Sequence, residues 1–212
     1  MTTLLLVGAS GHGRVLADLG ETLGFVGIAF VDDRWPEVTD NNGWPVIGAT
    51  RDVVRLSGQY DAVVVSIGAN EPRLALHRRL MEQGVAASTL VHPSAVISSR
   101  AEIGVGSVVL ANVVVGAFAT VGEAAILNTA CTVDHDCRLA DGVHISPGVH
   151  LAGQVHVGER TWIGIGTSVR EGAVIGKGVV IGAGAAVVSD IADSVIATGV
   201  PARPRQIGGA AT

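Results

Sequence analysis

Aromatic residues make up only 3% of this 212-residue chain, so a core organised around large rings is excluded even though 48% of the residues are hydrophobic. Charge is scarce too. At 16% charged residues and a net charge of −5, the chain fits neither a disordered polyelectrolyte nor a basic nucleic-acid binder. Two cysteines, Cys131 and Cys137, cannot make a disulfide framework or a structural zinc site, and their scarcity points to a reducing, cytoplasmic compartment. No stretch approaches the roughly 20 apolar residues of a membrane helix. The run Leu4-Leu5-Leu6-Val7 lacks a preceding basic region and is not expected to be a signal peptide. What the chain has in quantity is small: 29 glycines among many aliphatics.

Valine and glycine usage shifts along the chain, predicting two domains, 1–90 and 91–212. In the first, the strand Thr3 to Val7 runs into Gly8-Ala9-Ser10-Gly11-His12-Gly13, and helix spacing follows to Leu23. Further strands are predicted over Phe25 to Val31, Asp61 to Ile67 and Ser88 to Val91, with a helix over Glu71 to Gln83. Alternating strands and helices imply a Rossmann-like parallel α/β sheet with ligands at the carboxyl ends of its strands. Glycines before a helix N-terminus let phosphate approach unpaired N–H groups, and a carboxylate ending the second strand suits ribose hydroxyls. The spacing G-x-x-G-x-G departs from the dinucleotide fingerprint, and a tight turn with nothing bound needs glycine as well.

The second part is dominated by an internal repeat. Every sixth residue from Val91 to Val187 is Ile, Leu or Val, and the register breaks at Asp193. The position four beyond each aliphatic is small in almost every case, as at Ala95, Ala119 and Ala185, with Cys131 and Cys137 among them as packing residues. A period of six describes a short strand plus a corner, and three such units close a triangular coil. Glycines directly after the aliphatic, such as Gly104 and Gly116, are expected to relieve the turns. Coils stacked about 4.8 Å apart then form a column filled with aliphatics.

This pattern resembles the hexapeptide-repeat acyltransferases, which fold as a left-handed parallel β-helix. The segment Gly199-Val200-Pro201-Ala202-Arg203 is similar to that family's end signature, and the likeness runs to about Ile207. With Gly-Ala-Ser-Gly-His-Gly in front, Asn128-Thr129, and Asp134-His135-Asp136, the chain resembles the sugar acyltransferases of the NeuD and PglD type. The resemblance implies a homotrimer that transfers acetyl from acetyl-CoA, bound between columns, to the amino group, most often at C4, of a UDP- or GDP-linked deoxy-amino sugar. It also implies that the base is His135 with Asp136 as its carboxylate partner, that His144, Gly153, Ile165 and Ala183 contact the cofactor, and that Asn128 supports them. The sugar nucleotide is placed near Ser10, Gly11, His12, Asp32, Asp33, Arg34 and Gly68. No metal is implied.

The residues themselves give part of this. Acyl transfer needs a base for the acceptor's proton and a donor for the oxyanion. An imidazole beside a carboxylate suits the first, but strand neighbours face opposite ways, so Asp136 can engage His135 only through a bend at the corner. One coil beyond His135 is Gly153, whose amide suits the second. His144, His150 and His156 fall at three corners and cannot converge on one metal within a chain. Rival readings are a sialic-acid type O-acetyltransferase, a metal hydrolyase, and a non-catalytic nucleotide-sensing trimeric module.

Overall fold

The computed structural model describes residues 2–205, so the tail from 206 to 212, including Ile207, lies outside the described residues. The N-terminal part contains β1 (Thr3–Val7), α1 (Gly11–Thr22), β2 (Gly27–Val31), a hairpin of β3 (Asp40–Asn41) and β4 (Trp44–Pro45), α2 (Val53–Ser57), β5 (Ala62–Val65) and α3 (Asn70–Glu82). The three longer strands pair in parallel in the order β2-β1-β5. Their unbroken aliphatic runs are buried on both faces, as parallel strands require. Leu16, Ala17 and Leu19 of α1 cover one face, and Leu56, Leu76 and Leu80 of α2 and α3 cover the other.

The segment Ser88 to Val91, expected as a further strand of this sheet, is divided between two structures. Ser88 donates its N–H to Val63 of β5 at 2.8 Å, whereas Leu90–Val91 pairs with Val108–Val109 and is the first rung of the repeat. Leu90, Val108 and Ile126 pack with Leu4, Leu6 and Phe30 in one apolar cluster, so the sheet docks on the first coils of the column.

From Leu90 onward the chain is a three-sided solenoid of two-residue parallel strands. Residue i pairs with i+18, as in Val114 with Thr132 and Thr132 with His150. The second residue of each strand points inward, which makes the six-step aliphatics one continuous core from Val109 to Val187. We name the faces by their outward residues: the first carries Val108, Ile126, His144, Trp162 and Val180, the second Val114, Thr132 and His150, and the third Thr120, Arg138 and His156. His144, His150 and His156 therefore lie on three flat faces, not at corners.

The corners lie two residues later than the glycines after the aliphatics suggested. Every sixth residue from Gly106 to Gly184 has φ between about +49° and +74°, including Asn112, Phe118, Ala124, Ala130, Asp136, Gln154 and Arg160. The glycines directly after the aliphatics serve a different purpose. A Cβ on Gly104 would sit 2.4 Å from the backbone of Gly122, one coil along, so these positions are small because coils touch there. The register shortens before Asp193: Ile175 bridges to Ile191 and Val180 pairs with Ile196, a step of sixteen. Two residues are dropped between Val187 and Ile191, and Ile196–Thr198 then folds back antiparallel on Arg203–Pro204.

Helix α3 runs along the edge between the third and first faces, whose corners are Gly106, Ala124, Gly142 and Arg160. His77 fills the space at Gly106, where a Cβ would meet its ring at 2.4 Å, and Leu74 lies against Gly142. Arg78 bridges to Asp141 at 2.8 Å and to Glu159 at 2.7 Å, and Asn70 donates to the Arg160 carbonyl at 3.0 Å.

Candidate active site

The corner conformation decides the chemistry at His135. Asp136 has φ of 58°, and this left-handed residue turns its side chain back toward its neighbour, which a straight strand cannot do. His135 Nδ1 lies 2.8 Å from Asp136 Oδ2, and Asp134 accepts the His135 backbone N–H at 2.7 Å. The hydrogen bond to Asp136, with the charges of Asp134, Asp136 and Glu171 behind it, raises the His135 pKa above its ordinary value. With the Nδ1 proton held by Asp136, the lone pair of the neutral ring is at Nε2. Nε2 faces Gly153: a Cβ there would be 2.5 Å away, so only glycine lets the imidazole occupy this position. Among the described residues the Gly153 N–H has no acceptor.

A groove of about 430 Å³ lies along the upper first face, lined by Asn128, His144, Ser146, Trp162, Ile165 and Ala183 among others. His144 and Trp162 occupy the same strand position one coil apart and stack at 5.3 Å between centroids with a 4° interplanar angle. Asn128 Nδ2 lies 3.2 Å from His144 Nε2, and Trp162 Nε1 donates to Ser146 Oγ at 2.8 Å. The N–H groups of Ile165 and Ala183, like that of Gly153, have no acceptor among the described residues. These amides follow the strand by two residues, where the backbone leaves the ladder.

The third group is the β1–α1 turn. Gly13 permits it, because a Cβ there would be 2.5 Å from the Gly8 carbonyl oxygen. Ser10 is the N-cap residue of α1 but makes no capping bond, and no acidic residue occupies the first turn, which leaves the positive helix end uncompensated. Asp32 accepts the Ala9 N–H at 2.8 Å and binds Arg34 at 2.7 Å, while Arg34 reaches the Ala9 carbonyl at 2.6 Å. The bond to Arg34 holds the Asp32 carboxyl down at about 2. Asp33 accepts the Thr50 N–H at 2.9 Å. Asp32 and Arg34 thus brace the glycine turn.

His12 links this turn to the groove. Its Nε2 and the Nδ1 of His144 are both buried and make no hydrogen bond of good geometry among the described residues; Gly68 lies beside His12, and its backbone also approaches His144. Burial first, and the Arg73 guanidinium second, push His12 down to about 4 and His144 to about 3. The structure therefore brings Gly68, His12, His144, Asn128, Ile165 and Ala183 into one region. His135, Asp136 and Gly153 are on the edge between the second and third faces of the same column. Trp162 has no role assignable from the sequence and Arg73 is not singled out there, yet the eighteen-residue step that leads from His135 to Gly153 leads equally from His144 to Trp162.

Cys131 and Cys137 are buried in the column core, and burial pushes the Cys131 thiol up to about 12. Among the described residues no group of three or more His, Cys, Asp or Glu is placed to hold a metal ion, and no helix is long and apolar enough to cross a membrane.

A hexad solenoid fused to a parallel α/β unit, with a groove on one face and an imidazole–carboxylate pair on an edge, defines a hexapeptide-repeat acyltransferase. Residues 3–80 match the PglD N-terminal domain and residues 154–188 the bacterial transferase hexapeptide family. The acetyltransferase domain of PglB from Neisseria gonorrhoeae, solved with acetyl coenzyme A, is 43% identical and covers 96% of this chain and 98% of its own, with a TM-score of 0.91. PerB from Caulobacter crescentus, solved with CoA and GDP-perosamine, is 37% identical, with 97% and 98% covered and a TM-score of 0.91. A UDP-N-acetylbacillosamine N-acetyltransferase from Bacillus subtilis is 35% identical over 114 residues, which spans 52% of each chain, about half the length of that curated relative. The chain belongs to the PglD-type hexapeptide-repeat sugar acyltransferases.

Proposed function

We propose that the protein is an N-acetyltransferase that moves the acetyl group of acetyl-CoA to the amino group, at C4, of a UDP- or GDP-linked deoxy-amino sugar. The observation that carries the mechanism is the Nε2 of His135, without a partner among the described residues and facing Gly153, with Nδ1 tied to Asp136. As the amine nitrogen attacks the thioester carbonyl carbon, Nε2 takes the amine proton and the Gly153 N–H steadies the oxyanion. The tetrahedral intermediate collapses, the C–S bond breaks, and the CoA thiolate recovers the proton from the imidazolium. No acyl-enzyme is involved, since both cysteine thiols are buried and held protonated.

Acetyl-CoA lies in the first-face groove, with Trp162 and Ile165 against its pantetheine arm and the free N–H groups of Ile165 and Ala183 toward its amide carbonyls. The sugar diphosphate lies at Ser10, Gly11 and His12, in the field of the α1 N-terminus, with Asp33 and Gly68 beside it. Residues 1–90 are the sugar-nucleotide unit and 91–212 the acyltransferase unit. Because His135 and the groove occupy different parts of one column, the complete site lies between two copies of a homotrimer. Exposed Val96, Val114 and Phe118 on the second face and its edge supply apolar contact area for it.

The test is release of CoA across UDP- and GDP-linked 4-amino sugars, the free sugars and sialic acid. Turnover confined to a nucleotide-linked amino sugar is expected. Turnover on sialic acid hydroxyls alone contradicts N-acetylation, and nucleotide binding without thioester cleavage contradicts enzymatic function.

A further inference from the structure

Arg73 is 1% exposed and has no carboxylate partner among the described residues, an unusual position for a guanidinium. Its charge is compensated by backbone and amide oxygens from two parts of the molecule. Nη1 donates to the carbonyls of Ile67 and Gly68 at 3.2 and 2.8 Å, and Nη2 to Asn70 Oδ1 at 3.0 Å. Across the interface, Nε donates to Ala124 at 2.8 Å, and Nη2 to Gly142 and Val143 at 2.9 and 3.2 Å. The first group is the turn after β5, which carries Gly68 next to His12. The second comprises the corner that immediately precedes His144 and, at Ala124, the corner one coil earlier. A lysine offers three donors at one point, whereas the planar fork reaches acceptors on both sides at once.

We infer that Arg73 is a positioning residue for acetyl transfer, clamping the sugar-nucleotide turn to the coil that carries His144 so that the two substrates meet in register. His12 and His144, both within the electrostatic reach of Arg73, belong to the two parts that this clamp joins. A simple anchor between the α/β part and the solenoid already exists in Arg78, with Asp141 and Glu159, on the outer side of α3. Arg73 differs in gripping the two loops that hold the proposed ligands. The inference rests on the assignment of His144 to the acetyl-CoA groove.

The test compares wild type, Arg73→Lys, the milder Asn70→Ala, which removes one acceptor of the clamp and the Asn70 hydrogen bond to the Arg160 carbonyl, and His144→Ala. CoA and the nucleotide diphosphate are bound separately by calorimetry, and kcat is measured below the melting transition of each variant. Misplacing two otherwise well-bound reactants lowers kcat without lowering either affinity. In Arg73→Lys we expect kcat to fall about tenfold or more while each dissociation constant moves less than about threefold; Asn70→Ala should show a roughly threefold fall with the same split. Wild-type kcat in Arg73→Lys overturns the inference, as does a kcat loss matched by lost affinity for one ligand. If Arg73→Lys does not fold, wild-type turnover in Asn70→Ala overturns it. Wild-type CoA affinity in His144→Ala, by contrast, removes the groove assignment first and the inference with it.

Discussion

At the scale of single residues, the account depends on a backbone angle. Asp136 reaches the ring of the residue before it only because it is a left-handed corner, and the sequence made that contact conditional on such a bend. Since Asp136 raises the His135 pKa and a base must be unprotonated, kcat/KM should fall as pH drops through that raised value. Removing the carboxylate charge with Asp136→Asn should move the acid limb to lower pH and cut the plateau by roughly tenfold to a hundredfold. A pH–rate profile of the two proteins checks it, and an unmoved limb would separate Asp136 from the titration. Gly153→Ala tests the same geometry from the other side. Its methyl would begin 2.5 Å from Nε2, so the ring must swing away, and kcat should drop about a hundredfold with the circular dichroism spectrum unchanged.

Elements made of two residues have no periodicity of their own, and this sets what was legible. The hexad aliphatics fixed the core and the coil length, because each inward position repeats in the same chemistry. Corner positions were misplaced because Phe118, Ala124, Gln154 and Arg160 carry no turn signature; the coil geometry imposes their φ on them. Leu90–Val91 read as a strand of the first sheet since an aliphatic pair suits either structure, and only pairing with Val108–Val109 decides. Arg73 was invisible for another reason: apart from Asn70 Oδ1, its acceptors are backbone carbonyls, which have no sequence signal. The first-face ladder does yield a prediction. The Trp162 ring, stacked on His144 and 44% exposed into the groove, should contribute about 1–2 kcal/mol to thioester binding. Trp162→Ala is therefore expected to raise the KM for acetyl-CoA about tenfold, with a smaller change in kcat; steady-state kinetics with varied acetyl-CoA measures both.

For the whole molecule, the proposed mechanism implies that one chain holds the parts of the site without assembling them. The α/β part, α3 and the first face are bound into one unit through the apolar cluster around Leu90, Val108 and Ile126 and through Arg73. His135 sits on a different edge. If neighbouring copies complete each other, coexpressed His135→Ala and His144→Ala chains should regain activity in mixed assemblies, since one interface combines an intact edge with an intact groove. Activity no greater than the sum of the two parents, in assemblies shown to contain both, would place the whole site within one chain.

The central claim is that the His135 imidazole takes the proton of the attacking amine, and the most direct measurement is turnover of His135→Ala at saturating acetyl-CoA and nucleotide-linked amino sugar. The account predicts a loss of about two to four powers of ten with both substrates still bound. Near wild-type CoA release from that variant would contradict it.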